Sequence, residues 1–196
     1  MEARIRRSFD EGSRDEEHFP STIDPRIYHV RLLLEYLGEQ AGRRVLDAGC
    51  GKGRFARLVK DTHPQALVCG LDLSIEMLRG VPEGVERCAA SMTALPFRDR
   101  SFDAAYATES LEHAVEIDTA VGELCRVVRP GGRIVIIDKN AEHWGRLKTP
   151  EWETWFERGE IERLLRRDCR TVESRYISYW EDVPPDGLFI AWLAQR

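Results

Sequence analysis

VLDAGCGKGRF, residues 45–55, is the stretch on which the fold turns. A short apolar run ends at Ala48, three glycines follow at alternate positions, and a helix-forming run opens at Arg54. Glycines at that spacing let the backbone bend sharply and approach a ligand with no Cβ in the way. The helix behind them offers unpaired N–H groups. In an open α/β sheet, ligands bind beyond the carboxyl ends of the strands, where this loop lies. The spacing also discriminates. A dinucleotide fingerprint, GxGxxG, would need its third glycine at position 54, which is Arg54. The pattern present is DxGxGxG, with Asp47 on the strand before the loop, a carboxylate suited to a ligand with a cationic amino group. No GxxxxGK[ST] occurs, which excludes a nucleoside triphosphate loop.

Working outward, "ALVCGLDL" predicts a second strand ending at Asp72, nineteen positions beyond Gly53. An acid about 20 residues past a glycine loop is placed to accept hydrogen bonds from both ribose hydroxyls. Such charge-assisted bonds contribute roughly 1.5–3 kcal/mol each. "SIEMLRG" predicts a short helix, "VERCAA" a weak strand and "SFDAAYATE" a better one. "IDTAVGELCRVV" carries apolar residues at helical spacing and stops at the turn "RPGGR"; "RIVIID", rich in β-branched residues, is the strongest strand. Strand and helix in alternation imply a parallel sheet with helices on both faces. Upstream, Asp24 as cap and Pro25 at the first helical position predict a helix carrying Ile27, Val30, Leu33, Leu34 and Leu37. Downstream, "PEWETWFERGEIERLLRRD" predicts a helix, and "RTVESRYISYW" and "GLFIAWLAQR" an antiparallel strand pair joined through Pro184 and Pro185. Residues 1–24 are charged and irregular and are expected to be a mobile segment; residues 25–196 form one domain.

The 196 residues are 42% hydrophobic and 32% charged, enough for a packed core. With 29 basic and 34 acidic side chains the net charge is −5, which disfavours a nucleic-acid partner. Five cysteines at 50, 69, 88, 125 and 169 make no CxxC pair, so no zinc site is expected and reduced thiols in a cytoplasmic protein are the simplest account. The basic N-terminus has no apolar stretch behind it, and no run of about 18 apolar residues occurs, so neither a signal peptide nor a membrane span is expected.

From the glycine loop onward the chain resembles the Rossmann-like, class I S-adenosylmethionine-dependent methyltransferases, within them the ubiquinone/menaquinone-type and small-molecule group. "VLDAGCGKGRF", "GLDLS", "ALPFRDRSFDAAYATESLEH" and "ELCRVVRPGGRIVIID" carry the resemblance, which covers about residues 25–140. It implies a seven-stranded sheet, mostly parallel, with the antiparallel pair at its C-terminal end, and S-adenosylmethionine as cofactor. It implies that Gly49, Gly51 and Gly53, with Cys50 between them, approach the methionine moiety, with Asp47 near its amino group. Asp72 would hold the ribose, Leu73 would pack on the adenine and Met92 would cover it. Ser91 stands where the family often has an acid against the adenine amino group. Thr108 and Glu109 would lie near the sulfonium and the acceptor.

Methyl transfer needs a general base only if the acceptor must lose a proton. His113 and Glu109 are the catalytic candidates, although His113 reads first as a residue that caps or packs the following helix. Glu112 reads as part of a solvated helix start. Tyr28 on the first helix, and His143 and Trp144 after the fifth strand, are candidates for the acceptor site; the three tryptophans of that later stretch suit an aromatic or lipid-like molecule. Asp138 and Asn140 are separated by Lys139, so no metal is expected. Two other readings stay open: a non-catalytic binding or partner subunit on the same fold, and a nicotinamide-dependent oxidoreductase.

Overall fold

The computed structural model describes residues 1–40, 42–180 and 183–196. Seven strands form one sheet in the order β3-β2-β1-β4-β5-β7-β6. These are β1 (Arg44–Ala48), β2 (Leu67–Asp72), β3 (Glu86–Ala89), β4 (Phe102–Thr108), β5 (Val128–Lys139), β6 (Thr171–Ile177) and β7 (Phe189–Gln195). The first five run parallel, and β7 pairs antiparallel with both β5 and β6. The helices are α1 (Glu2–Gly12), α2 (Tyr28–Leu37), α3 (Arg54–Thr62), α4 (Ile75–Leu78), α5 (Ile117–Val127) and α6 (Arg158–Leu165). The parallel strands with helices on both faces are those expected from the alternation, and the seven-stranded order with its antiparallel C-terminal pair is the Rossmann-like sheet that the resemblance implies.

The central strands are buried on both faces, which is why they read as unbroken apolar runs. One core, with Leu46, Ile136 and Trp192, lies under α5 and α6. The other, with Val45, Tyr106 and Val135, lies under α2 and α3. Gly132 fits the crowded start of β5, where a Cβ would come within 2.6 Å of the Asp103 carbonyl oxygen. No helix among the described residues is long and apolar enough to cross a membrane.

Three local expectations need correction. Residues 1–24 are not irregular throughout: Glu2–Gly12 is a helix whose Ile5 is buried. Asp24 does not cap α2. It accepts a hydrogen bond from the backbone N–H of Arg26 (2.9 Å) in a turn, so the helix opens only at Tyr28. The helix expected across 150–168 covers only Arg158–Leu165. Phe156 instead forms a bridge with Asn140 beyond β5, and its side chain fills the core.

Candidate active site

A cavity of about 540 Å³ opens at the carboxyl ends of the parallel strands. Gly49, Gly51 and Gly53 all have positive φ, the left-handed region where side chains are rare. A Cβ on Gly49 would collide with Ser110 at 2.5 Å, so close packing fixes that position. On Gly51 nothing lies within 4 Å of where a Cβ would stand; the position faces open space on the cavity wall. Gly53 packs away from the cavity, against Pro82.

Asp72, at the tip of β2, is placed by its neighbours. The backbone N–H of Gly51 donates to one of its oxygens (2.7 Å) and that of Ser74 to the other (2.8 Å). Burial pushes its carboxyl above the usual carboxylate range, against the pull of those amides. Each carboxylate oxygen has a second lone pair, so both remain able to accept from a ligand hydroxyl. Leu73, Ser91 and Met92 line the same part of the cavity, as do Cys50 and Thr108. The buried Thr108 hydroxyl has no hydrogen-bond partner. A bent loop with room for a ligand, a carboxylate at the tip of β2 with free lone pairs and an unpartnered hydroxyl fit the expected sulfonium nucleoside.

Asp47 is placed differently. It is buried behind the loop and is not on the cavity wall. Burial raises its pKa to about 7, with the Tyr106 hydroxyl and the Ala56 amide opposing the rise. Tyr28, His143 and Trp144 are also off the wall. Tyr28, the first residue of α2, packs on the core, and Trp144, 59% exposed, touches Trp155 edge-on.

Glu109 and His113 do line the cavity. Glu109 sits at φ +51, a conformation that costs a non-glycine residue about 1 kcal/mol or more. Its carboxylate is held among Arg54 (3.3 Å), the Tyr179 hydroxyl (3.2 Å) and His29 (3.4 Å). Burial would raise its pKa, but Arg54 and then His29 outweigh it, and the group sits at about 2. His113 packs edge-on against Phe9 at 5.0 Å between centroids, and its buried Nδ1 has no partner. Burial, helped by the Lys139 ammonium, lowers its pKa to about 3, so it is neutral near pH 7.

Sequence reasoning missed much of the outer wall. Phe9, Phe19 and Pro20 come from the N-terminal segment, and Leu147, Pro150 and Trp152 from the loop after β5. Ile5, Phe9 and Gly12 follow helical spacing, a signal present in the sequence. Lys139 was read only as the residue separating Asp138 from Asn140. In the structure its ammonium bonds Glu112 (2.5 Å) and Glu153 (2.8 Å), both buried. Glu112 is therefore not at a solvated helix start. Burial and the nearby Asp138 push its pKa up, against the pull of Lys139. Side-chain atoms of Glu112, His113 and Glu153 lie within 4.8 Å of one another, and the lysine ammonium already bonds both carboxylates of that group.

Comparison with known proteins agrees with this geometry. A family model described as a methyltransferase domain matches residues 46–136. The malonyl-[acyl-carrier protein] O-methyltransferase of Pseudescherichia vulneris is 40% identical over 106 residues, 53% of this chain and 41% of that protein. The demethylmenaquinone methyltransferase of Thermus thermophilus is 36% identical over 107 residues, 51% of this chain and 49% of the relative. The chain spans about half the length of the curated relatives it matches. Among solved structures, a methyltransferase in complex with the Haloferax volcanii Trm112 methyltransferase activator superposes with a TM-score of 0.79 at 20% identity. That match covers 95% of this chain and 96% of the other. The geranyl diphosphate C-methyltransferase of Streptomyces coelicolor gives 0.67 at 18% identity, covering 86% and 78%.

Proposed function

The chain carries a class I, S-adenosylmethionine-dependent methyltransferase domain, and from that premise we propose that it methylates a small, largely apolar acceptor. One observation carries this reading. One cavity is lined both by Gly51, Asp72, Leu73 and Met92 and by Phe9, Phe19, His113 and Trp152. The first set suits a nucleoside. The second adds three aromatic rings and the neutral His113 imidazole, among charged side chains that include Lys139 and Lys148, and aromatic surface with a few polar groups is the composition expected of a small-molecule site.

S-adenosylmethionine, when bound, supplies a methyl group on a sulfonium, open to direct displacement by a nucleophile. The protein's share is alignment and exclusion of water. Asp72 holds the ribose. Glu109, with a pKa of about 2, is too weak a base near neutrality; it positions Arg54 and Tyr179. His113, a neutral imidazole on the cavity wall, helps to position the acceptor. The unbridged cysteines suit a cytoplasmic setting.

Calorimetry with S-adenosylhomocysteine and with NADH, followed by mass-spectrometric detection of methyl transfer to an acceptor panel, tests the proposal. It predicts binding of the first ligand, none of the second, and a product 14 mass units heavier than its acceptor, the mass of an added CH₂. Tight binding with no transfer to any acceptor would favour a non-catalytic subunit, and NADH binding alone would favour an oxidoreductase.

Two substitutions probe the site. Asp72→Ala should weaken S-adenosylhomocysteine binding ten-fold or more, since losing charge-assisted contacts costs over ~1.4 kcal/mol. Unchanged affinity in the folded variant would contradict the ribose assignment. His113→Ala should lower kcat/KM by about ten-fold, because the shortened side chain leaves the acceptor less well aligned. It should also change the acid limb of stability. His113 has a lowered folded pKa, so its contribution is complete above the unfolded value near 6.5 and is lost as pH falls from there towards about 3. Urea midpoints measured from pH 7 to pH 4 should therefore fall less steeply in the variant. Full turnover with an unaltered pH slope would leave His113 a packing residue only.

A further inference from the structure

We propose that α1 belongs to the cofactor site, and that Glu2 reads the amino edge of the adenine from outside the sheet. This rests on the cofactor reading above. Strand register locates the base. Asp72 and Ala89 are partners across β2 and β3, and the Ala90 N–H donates to the Asp72 carbonyl (3.1 Å). The chain leaving β3 therefore lies one strand spacing, about 4.8 Å, outward from the ribose carboxylate. A purine carried by that ribose would lie by Leu73 and Met92, with its far edge toward Ser91, whose hydroxyl also meets Thr93 (2.7 Å).

Those residues bring hydroxyls and no charge. The carboxylate at this edge comes from the other end of the chain. Ser91 Oγ donates to Glu2 Oε1, and Thr93 Oγ1 lies 3.4 Å from the same oxygen. Oε2 of Glu2 takes no hydrogen bond among the described residues, and Glu2 lines the cavity. Its place does not depend on these contacts alone. Ile5 is buried, the Ser74 hydroxyl donates to Asp10 (2.6 Å), and beyond the helix Lys52 of the glycine loop donates to Glu16 (2.6 Å). The free oxygen is an acceptor for an exocyclic N–H, a charge-assisted bond of the stronger kind. A 6-oxo purine presents an oxygen at that position, which the carboxylate repels.

Calorimetry on the wild type and Glu2→Gln, with S-adenosylhomocysteine and its 6-oxo counterpart S-inosylhomocysteine, tests the assignment. The wild type should prefer the 6-amino ligand by about ten-fold or more, the size of one charge-assisted bond. Glu2→Gln should reduce that preference at least about five-fold, and should bind the 6-oxo ligand more tightly than the wild type does, because an amide N–H can donate to it. A gain of that kind cannot come from damage to the fold. The same preference in both proteins would overturn the role of Glu2 while leaving the cofactor reading intact. Failure of the wild type to bind either ligand would overturn both.

Discussion

Gly51→Val is expected to abolish S-adenosylhomocysteine binding, with at least about a hundred-fold loss in affinity. The position has φ +54, and the direction a Cβ would take is open space bordered by the cavity. A branched side chain there fills the volume that the ligand needs, and relief by backbone movement is opposed by Asp72, which grips the Gly51 N–H at 2.7 Å. A β-branched residue at positive φ also costs about 1–2 kcal/mol, so some loss of stability accompanies the loss of binding. Gly51→Ala separates the two effects. It carries much of the conformational cost with a far smaller side chain, and should bind better than the valine variant at similar stability. Circular dichroism confirms folding and calorimetry reads affinity. A folded valine variant that binds normally would contradict the placement of the ligand over this loop.

Lys139→Met is expected to reduce stability by about 3–5 kcal/mol, the cost of removing one partner from a buried ion pair. Its ammonium sits between the carboxylates of Glu112 and Glu153, and both are almost fully buried. Methionine keeps most of the volume but leaves those groups without a cation, beside Asp138, which already accepts a hydrogen bond from the Glu112 N–H (3.1 Å). For a chain of this size each kcal/mol shifts the midpoint by roughly 2–4 °C, so thermal unfolding should move down by about 10 °C. The loss should be partly relieved by lowering the pH, because Glu112 has a raised pKa and its protonated form needs no partner. The contribution of a group raised in this way is present below its unfolded pKa and is lost as pH rises. An unchanged midpoint would mean the lysine contributes no net stability.

The sheet was legible in the sequence because its signals are local. Buried parallel strands read as apolar runs, β5 by its β-branched residues, and the glycine loop by spacing alone. The strand pair Thr171–Ile177 and Phe189–Gln195 also reads directly, since no helix separates the two. What stayed hidden depends on contacts distant in sequence. Glu2 meets Ser91 across 89 positions, and Lys139 meets Glu112 across 27 and Glu153 across 14. The tryptophan-rich stretch misled because its aromatics suit a helix face as well as a loop. Phe156 instead enters the core from a bridge, and Trp152 turns to the cavity. Asp47 shows the limit of motif reading in the other direction: a motif residue adjacent to the loop lies behind it, buried against Tyr106.

The account stands on a nucleoside lying over the glycine loop. A crystal structure of the protein with S-adenosylhomocysteine tests that most directly. The prediction is a ribose hydrogen-bonded to Asp72, an adenine between Leu73 and Met92, and the sulfur directed toward Thr108 and the pocket beside His113. A ligand bound elsewhere, or a complex in which Asp72 makes no contact with the ribose, would contradict it.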